Sequence, residues 1–556
     1  MKPLRAIALL LLASTLALAT SPKISKDLAA VNPSSTVQVV IQFNTFPGTS
    51  DFTQLAKYGQ PNKTFKKLPV VVIPLKLAMV KLLALLPNIK YMSLDRPLKG
   101  KLDLTAAAVN AAAAVGYSLD GTGVGIAIID SGITQNPDLM NSTGLASRIV
   151  YSQDFTGLGS TNDAYGHGTH VAGIAAGNGA SSKGSSDTRT FQGIAPGANI
   201  INLRVLDNNG QAVDSTVIQA IDQAIALQSQ YNIRVINLSL GRAPFESYTL
   251  DPMCQAVEAA WQAGIVVVVA AGNEGRTDTD GIEGYGTIAV PGADPYVITV
   301  GAMNTVGTPS RTDDVMTSYS SKGPTLYDQI VKPDLVAPGN QITSLLSSTS
   351  ATLYTTDPNT PLANSYYVNG GTGTSTNYYV LSGTSMATPV VSGAAALLIQ
   401  QNPSITPDQV KARLMLTAYK TFPTSSTATD ASTGIVYTLY YDIFTVGAGY
   451  LDIQAALANT TVSSLPATSP AVTFDSATNQ VSLVTGSNVV WGTNVVWGTN
   501  VVWGTNVVWG DNVVWADSTS AGFNVVWADG TGSIDPANVV WGDNTVWGDT
   551  IKGDKK

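Results

Sequence analysis

Mainly apolar segments alternate with amphipathic ones through the middle of the chain. Apolar runs at 126–129, 200–206, 235–240, 265–271 and 297–302 predict strands, and helical spacing at 215–228 and 252–263 predicts helices between them. Strands with little polar interruption belong to sheets that are covered on both faces. The alternation of strand and helix therefore predicts an α/β domain with a mostly parallel sheet.

A smaller unit precedes this domain. Patterns at 36–43, 70–73 and 91–94 predict strands, and the pattern at 75–86 predicts a helix. The result is a small α+β unit within residues 20–101.

Residues 1–19 have the features of a targeting segment. Lys2 and Arg5 precede apolar residues 7–18, and Ala17-Leu18-Ala19 forms a small-residue cleavage site. The segment is too short for a stable membrane span, and the longest apolar strand downstream, 265–271, is shorter still. We expect a secreted, extracellular mature chain without a transmembrane segment, unless another element anchors it.

Composition supports export and divides the charge unevenly. Of 556 residues only 12% are charged, and the length allows two to four domains. Residues 1–101 hold 14 Lys and Arg against 3 Asp and Glu, whereas the remainder holds 16 against 35. A basic unit that matches an acidic body fits a prosegment docking on its own enzyme. The alternative is an N-terminal domain that is simply basic.

Cysteine and histidine are scarce. The single Cys254 cannot form an internal disulfide, and we interpret it as a core residue. Any histidine base must be His167 or His170, because the chain has no other histidine. His and Cys ligands are too few for the usual zinc sites.

A small-residue turn at 382–384 leads into an apolar, alanine-rich segment ending near residue 399, which predicts a buried helix. Ser385 lies in its first turn, where unpaired N–H groups and the helix dipole would stabilise an oxyanion. The simpler interpretation is a serine that caps the helix.

Asp130, His167 and Ser385 form a chemically meaningful set. Each lies beside glycine at the predicted end of an element, in the order Asp, His, Ser. A serine hydroxyl becomes nucleophilic when an imidazole takes its proton, and a carboxylate orients that imidazole. No histidine follows Ser385, which excludes the Ser, Asp, His order of α/β-hydrolases.

These residues lie in three motifs that together resemble the active-site signatures of the subtilisin-like serine proteases. The motifs span 130–132 (Asp-Ser-Gly), 167–173 (His-Gly-Thr-His-Val-Ala-Gly) and 383–389 (Gly-Thr-Ser-Met-Ala-Thr-Pro), and supporting matches occur at 236–241, 270–275, 318–324 and 332–339. The resemblance covers about 105–458, and residues 36–95 resemble the family's I9-like inhibitory propeptide. Val390 and Ser392 depart from the common pattern without touching the three motifs.

The resemblance implies a three-layer subtilisin-like domain with a central buried helix and a ferredoxin-like propeptide before it. It assigns Ser385 as nucleophile, His167 as base and then acid, and Asp130 as the group that orients His167. Asn273 and the Ser385 N–H would form the oxyanion hole. His170 is expected to be a packed, hydrogen-bonded residue instead.

Substrate and metal positions follow from the same resemblance. An extended peptide would lie between residues 239–241 and the opposite edge at 209–211, beside a pocket with small walls that suits a large apolar side chain. The substrate-binding residues are Ser239, Leu240, Gly241, Gly210, Ala271, Gly272 and Gly292. Asp138 matches a calcium-binding position of some relatives, although a surface aspartate without an ion is an equal alternative. The chemistry itself requires no cofactor.

The predicted domains are 1–19, a signal peptide; 20–101, the inhibitory propeptide; 102–458, the catalytic domain; 459–487, a Ser/Thr/Pro-rich linker; and 488–556, a repeat tail. An Ala-rich helix is expected to end at Gly116, and 339–381 is interpreted as a surface loop in preference to a lid or hairpin. Thr406 and Gln409 have capping-box spacing ahead of a helix to about residue 418.

The tail repeats Asn-Val-Val-Trp-Gly and contains eight of the nine tryptophans. Three β-formers followed by turn-formers predict short strands that coil or stack. The tail's role stays open between a solenoid, an attachment or secretion element, a ligand-binding strip and a purely structural C-terminal extension.

The sequence therefore predicts a secreted serine endopeptidase, made as a self-processing zymogen, that acts on polypeptides and not on nucleic acid. Its own propeptide would be its inhibitor, and the partner of the tail is unknown. The alternative is a catalytically silent surface adhesin that binds through the tryptophan-rich tail.

Overall fold

The computed structural model divides the chain into two compact units, Met1–Leu98 and Lys99–Lys556. It describes residues 23–29, 31–32, 34–64, 69–94, 104–276, 284–357, 360–461, 466–475, 480–484, 495–497, 501–503, 508–509, 513–514, 546–547 and 553–554. The predicted signal peptide lies outside these residues.

The first unit is a four-stranded antiparallel sheet with short helices. Its sheet has the order β2-β3-β1-β4, and the buried side chains of its strands and helices form a separate apolar core. The elements are α1 (Lys26–Ala29), β1 (Thr36–Phe43), α2 (Thr49–Leu55), β2 (Lys63–Thr64), β3 (Val70–Lys76), α3 (Leu77–Leu83) and β4 (Ile89–Leu94). All three predicted strands and the predicted helix are present, and the helix is shorter than the range 75–86.

The helices of the second unit alternate with the strands of its main sheet, as the sequence predicts. They are α4 (Thr105–Ala108), α5 (Ala113–Gly116), α6 (His167–Ala176), α7 (Asp214–Ala226), α8 (Gln228–Tyr231), α9 (Pro252–Gln262), α10 (Thr352–Thr356), α11 (Thr384–Gln401), α12 (Pro407–Thr417), α13 (Ile443–Val446) and α14 (Ile453–Ala458). Short 3-10 turns occupy Pro137–Leu139, Ala180–Ser182, Arg311–Asp313 and Asn364–Tyr366.

The strands of this unit form the main sheet and several smaller sheets. They are β5 (Gly125–Asp130), β6 (Ile149–Asp154), β7 (Asn199–Arg204), β8 (Gln211–Ala212), β9 (Ile233–Leu238), β10 (Val266–Ala270), β11 (Ile298–Asn304), β12 (Val315–Met316), β13 (Leu335–Pro338), β14 (Ile342–Leu345), β15 (Pro361–Ala363), β16 (Thr374–Leu381), β17 (Ser425–Thr429), β18 (Val436–Tyr440), β19 (Ala471–Asp475), β20 (Gln480–Val484), β21 (Val495–Trp497), β22 (Val501–Trp503), β23 (Val508–Trp509), β24 (Val513–Val514) and β25 (Val546–Trp547).

The main sheet has the order β12-β11-β10-β9-β5-β7-β6, and β13 also pairs with β11. Every pairing is parallel except that of β11 with β12. The chain moves from β5 to β6 and β7 on one side and then crosses to β9 on the other. The carboxyl end of β5 therefore lies at a topological switch point, where open α/β sheets bind ligands.

The sheet is covered on both faces. All residues of β5, β10 and β11 are buried, which requires packing above and below the strands. Helices α6 and α11 pack on each other, and α11 also contacts β9, β10 and β11. Helices α7 and α9 form a second packed pair that contacts β5 and β10. Cys254 is buried in this core, as predicted.

Helix ends follow the local chemistry. Thr406 and Gln409 form the predicted capping box of α12, and Asp251 accepts two backbone hydrogen bonds at the start of α9. The predicted Ala-rich helix is wrong as a single element. Asn110 has a φ of 55°, which ends α4 before α5 begins.

Two predicted loops contain sheet structure. Residues 339–381, interpreted as a surface loop, form the antiparallel sheet β14-β16-β15, so that interpretation is wrong. The range 459–487, predicted as a linker, contains the β19–β20 hairpin, whose Val472 is buried in the main core. Both elements depend on pairing that local composition does not reveal.

Strands β21 to β24 of the tail form an antiparallel sheet in that order, and the architecture of the repeat tail as a whole stays a prediction. The last strand, β25, pairs with β8 of the body. Within the described residues, no helix combines the length and apolarity needed to cross a membrane.

A buried charge cluster ties β13 to α12. Asp334 accepts from Lys332 Nζ at 2.7 Å and from Ser469 Oγ at 2.5 Å, and its other ammonium partner, Lys411, lies 3.1 Å away. The three charged side chains are fully buried. Although burial acts to raise it, the pKa of Asp334 is lowered by the two ammonium groups. Burial lowers the pKa of Lys411 to about 7.

We predict that Asp334→Ala lowers the free energy of unfolding by about 3–5 kcal/mol, because two buried ammonium groups lose their shared carboxylate. Urea unfolding followed by tryptophan fluorescence measures the change. The control is Asp313→Ala, which removes an exposed carboxylate and should stay within about 0.5 kcal/mol of the parent. Equal stabilities of the two variants would contradict the role of the cluster.

Candidate active site

The site is centred on a contact between the end of β5 and the start of α6. Asp130 is the last residue of β5, and His167 is the first residue of α6. Asp130 Oδ1 lies 2.7 Å from His167 Nδ1, and neither side chain is exposed. A carboxylate at Nδ1 selects the tautomer that carries its proton there, which makes Nε2 the basic nitrogen.

Glycine permits this close approach. A Cβ at Gly168 would overlap the carbonyl oxygen of Gly132 and would lie 3.2 Å from Asp130 Oδ1. Gly132 itself has a φ of 101°, in the left-handed region that favours glycine. The glycines of both motifs therefore set the distance between the carboxylate and the imidazole.

Asp163 fixes the first turn of α6. Its carboxylate accepts from the N–H groups of Gly166 and Thr169 at 2.6 and 2.8 Å and from Ser131 Oγ at 2.7 Å. Ser131 Oγ in turn accepts from the Gly168 N–H. Burial raises the pKa of Asp163 to about 6 against the effect of these donors. Asp163 was not predicted as a site residue, and its position before a glycine turn was the available signal.

Ser385 is held by a reciprocal pair of hydrogen bonds with Ser239. The Ser385 hydroxyl donates to the Ser239 carbonyl at 3.1 Å, and the Ser239 hydroxyl donates to the Ser385 carbonyl at 2.8 Å. Pro389, four residues after Ser385 within α11, has no N–H for the Ser385 carbonyl. Ser239 supplies the missing donor, so it positions Ser385 in addition to lining the predicted cleft.

Asn273 is anchored to the turn that precedes Ser385. Its Oδ1 accepts from the Thr384 N–H at 2.9 Å and from Thr384 Oγ1 at 3.1 Å. Thr384 Oγ1 also accepts from the Gly272 N–H. Because the carbonyl half of the amide faces Thr384, the orientation of its Nδ2 half is fixed as well.

Three glycines of the predicted pocket lie around Ala289. A Cβ at Gly241 or Gly272 would lie 3.0 or 3.2 Å from Ala289 Cβ, and one at Gly292 would lie 3.1 Å from the Ala289 carbonyl. The Ala289 N–H donates to the Ala271 carbonyl at 2.9 Å. Sequence reasoning missed Ala289, because an isolated alanine in a loop carries no chemical signal.

The other predicted substrate residues fall into two groups. Leu240 is buried, so its backbone is the part suited to contact a peptide. Gly210 immediately precedes β8, and a Cβ there would overlap the ring of Tyr165. The centroid of that ring lies 6.4 Å from that of His167. Tyr165, which sequence reasoning did not single out, therefore links the 209–211 edge to the imidazole.

His170 is a packed residue, as predicted. Its Nε2 lies 3.0 Å from the Ile342 carbonyl, and its ring meets the edge of Tyr379 at 5.0 Å between centroids. Burial lowers its pKa to about 3, so the ring is neutral near pH 7 and Nε2 is the donor.

Asp138 is fully buried, and both carboxylate oxygens already accept hydrogen bonds. Tyr378 Oη and the Ser181 N–H donate to them, each at 2.6 Å. The neighbouring Arg148 donates to the Asp138 carbonyl at 2.8 Å. These donors do not resemble the set of oxygen ligands that calcium takes. In the described part of the chain no three His, Cys, Asp or Glu residues form a metal-binding group, and the calcium site stays a prediction.

Comparison with known proteins finds a matching family and several similar proteins. The model of the subtilase family matches residues 121–438. Serine protease AprX of Bacillus subtilis is 39% identical over 346 residues, which cover 60% of this chain and 70% of AprX. Subtilisin E of the same species is 32% identical over 404 residues, which cover 72% of this chain and 84% of subtilisin E.

Among solved structures, a cold adapted subtilisin-like serine proteinase matches at 29% identity with a TM-score of 0.38. The match covers 59% of this chain and 90% of that one.

We predict that Gly168→Ala weakens the contact between Asp130 and His167, because the new methyl group displaces α6 from Gly132. The overpacking should lower the free energy of unfolding by about 1–3 kcal/mol. Thermal unfolding measures the stability, and NMR measures the low-field proton on His167 Nδ1. Gly116→Ala is the control, since nothing lies within 4 Å of a Cβ at that position. An unchanged Nδ1 proton in Gly168→Ala would contradict the steric argument.

Proposed function

We propose that this chain, which belongs to the subtilase family and is a serine protease, cleaves internal peptide bonds of polypeptides through Asp130, His167 and Ser385. The observation that carries the proposal is the buried 2.7 Å contact between Asp130 and His167. It supplies an oriented imidazole on α6, which packs against α11, the helix that presents Ser385. No described metal group or cofactor is needed for this chemistry.

In the proposed reaction the Ser385 hydroxyl turns from the Ser239 carbonyl to His167 Nε2, which takes its proton as Oγ attacks the substrate carbonyl. The imidazolium is stabilised by Asp130 and then protonates the leaving amine. An acyl-enzyme remains on Ser385. Water, deprotonated by the same imidazole, attacks the ester and releases the second product.

Asn273 would act at the oxyanion. With Oδ1 held by Thr384, its Nδ2 group can donate to the negative oxygen of the tetrahedral intermediate together with the Ser385 N–H. Ser385 is the second residue of α11, so the positive end of the helix dipole supports the same charge.

The substrate would be an extended polypeptide. Backbone groups of residues 239–241 and of the 209–211 edge offer strand-like pairing to either side of it. Gly241, Gly272 and Gly292 lie around Ala289 and would form small walls beside the side chain that precedes the cleaved bond. The preference for a large apolar side chain stays a prediction, and a nucleic-acid substrate is not expected.

The chain would be made as an exported zymogen. Residues 1–19 would direct secretion, and residues 20–101 would inhibit the enzyme until self-processing removes them. The charge contrast between 1–101 and the remainder supports this proposal. The two relatives compared here are proteases, and they lend no support to a catalytically silent adhesin.

We predict that Ser385→Ala abolishes hydrolysis of an unfolded protein and leaves the N-terminal segment attached. The physical reason is loss of the only group that forms the acyl-enzyme. Mass spectrometry of the purified chain and release of labelled fragments from casein measure the two effects. Ser404→Ala, at an exposed serine beyond the same helix, should process and hydrolyse like the parent. Hydrolysis by the Ser385→Ala chain would refute the assignment.

We predict that Asn273→Ala lowers kcat by on the order of 10²–10³-fold with little change in KM, the magnitude known for such a donor in a subtilisin. The reason is that this donor strengthens only as the oxyanion forms. Thr384→Val serves as the comparison, since it removes one anchor of Asn273 and keeps Nδ2, and its loss should be smaller. A larger loss in Thr384→Val than in Asn273→Ala would show that Asn273 acts only structurally.

A further inference from the structure

Two described pieces of the C-terminal tail lie against the body of the same unit. The first is β25, in which Val546 pairs with Ala212 and Trp547 with Gln211 in antiparallel register. The second is the dipeptide Gly553-Asp554, whose residues are both buried. The first piece forms a two-stranded sheet with β8, and the second occupies a polar site.

The partner of β25 adjoins the active site. Strand β8 directly follows Gly210, which packs on Tyr165, the neighbour of the His167 ring. The main-chain groups of Gln211 and Ala212 are those that would pair with an extended substrate. Strand β25 already uses this edge in the way that a bound peptide would.

The Asp554 carboxylate is recognised by three donors. It accepts from the Ser318 N–H at 2.7 Å and from Ser318 Oγ at 2.5 Å, and Arg276 Nη2 donates to it at 3.1 Å. Burial raises the pKa of Asp554, and these donors act in the opposite direction. A buried carboxylate with a guanidinium and two further donors is a built anion site.

The backbone of Asp554 is bound as well. Its N–H donates to Asn340 Oδ1 at 2.8 Å, and its carbonyl accepts from Asn340 Nδ2 at 3.1 Å and from Gln341 Nε2 at 3.0 Å. The two hydrogen bonds with the Asn340 side-chain amide fix the orientation of the Asp554 backbone.

Glycine is required before this aspartate. A Cβ at Gly553 would overlap Ser382 Oγ and Asn340 Oδ1. Ser382 lies three residues before Ser385, in the turn that carries the nucleophile. The second tail piece therefore contacts the turn that leads to Ser385, whereas the first pairs with the strand after Gly210, on the Tyr165 and His167 side.

We infer that Arg276, Ser318, Asn340 and Gln341 form a subsite for an acidic residue of an extended peptide, and that Asp554 is its resident ligand. The two tail pieces make the C-terminal end an intramolecular competitor of substrate. This inference rests on the proposed function, because it takes the β8 edge as the substrate groove.

The test uses the Ser385→Ala chain after the parent enzyme, added in trans, has removed residues 20–101, so that neither the prosegment nor self-cleavage changes the occupancy of the groove. Mass spectrometry confirms that the tail is intact. Asp554→Asn is compared with Asp549→Asn, which removes the same charge from the same tail. Asp554→Asn is preferred to a change at Arg276, because Arg276 also pairs with Asp430 at 3.2 Å. Hydrogen exchange reports on the segments that contain Gln211 and Gln341, and fluorescence anisotropy reports the binding of a labelled hexapeptide of alanines with one central Phe.

Asp554→Asn should speed exchange in both segments and tighten hexapeptide binding, each on the order of tenfold, whereas Asp549→Asn should match the parent. Unchanged exchange in Asp554→Asn would overturn the carboxylate subsite. Faster exchange with unchanged peptide affinity would show that the tail only stabilises the fold. That result would overturn the proposed competition between the tail and the substrate. A chain that binds no hexapeptide in any form would contradict the proposed function itself.

Discussion

The carboxylate of Asp130 and the imidazole of His167 meet at 2.7 Å inside the protein, and the rest of the site is arranged around that contact. It exists because α6 approaches the end of β5 at Gly168, where any side chain would collide with Gly132. The approach places the imidazole at the positive end of the α6 dipole, which is unfavourable for the cationic form that the proposed reaction requires. Asp130 offsets this effect at Nδ1, and the Asp163 carboxylate binds the N–H groups of the first turn.

Helix α11 has a different role. It holds the backbone of Ser385 rigidly and leaves the side-chain hydroxyl able to rotate. Pro389 removes one hydrogen bond from the first turns of α11, and the Ser239 hydroxyl restores it from outside the helix. Ser385 thus stays held through its carbonyl when the hydroxyl leaves the Ser239 carbonyl in the proposed reaction. Thr384 similarly holds Asn273 by its acceptor atom and orients the donor half of the amide. In both cases the fixed atom differs from the atom proposed to act.

Local sequence signals predicted much of this architecture and failed where distant segments decide. Apolar runs located β5 and β10 to within a residue at each end, and the capping box of α12 was read from Thr406 and Gln409. The sheet at 342–381 was not predicted, because its strands are stabilised by partners far along the chain. The hairpin inside 459–487 pairs neighbouring segments, and it was missed because the surrounding composition favoured a linker. Ala289 and Asp554 belong to the same class, since each acquires its role only from the residues that surround it.

Recognition of substrate through backbone groups also bears on the chain's own tail. A groove that pairs with the main chain of an extended peptide has little means to reject β25, whose Val546 and Trp547 present the same groups. Tethering raises the effective concentration of such a segment towards the millimolar range, so weak intrinsic affinity is enough for occupancy. The groove by itself offers little to hold the tail in place. The Gly553-Asp554 pair supplies such an anchor, because glycine fits beside Ser382 and the carboxylate accepts from both Arg276 and Ser318.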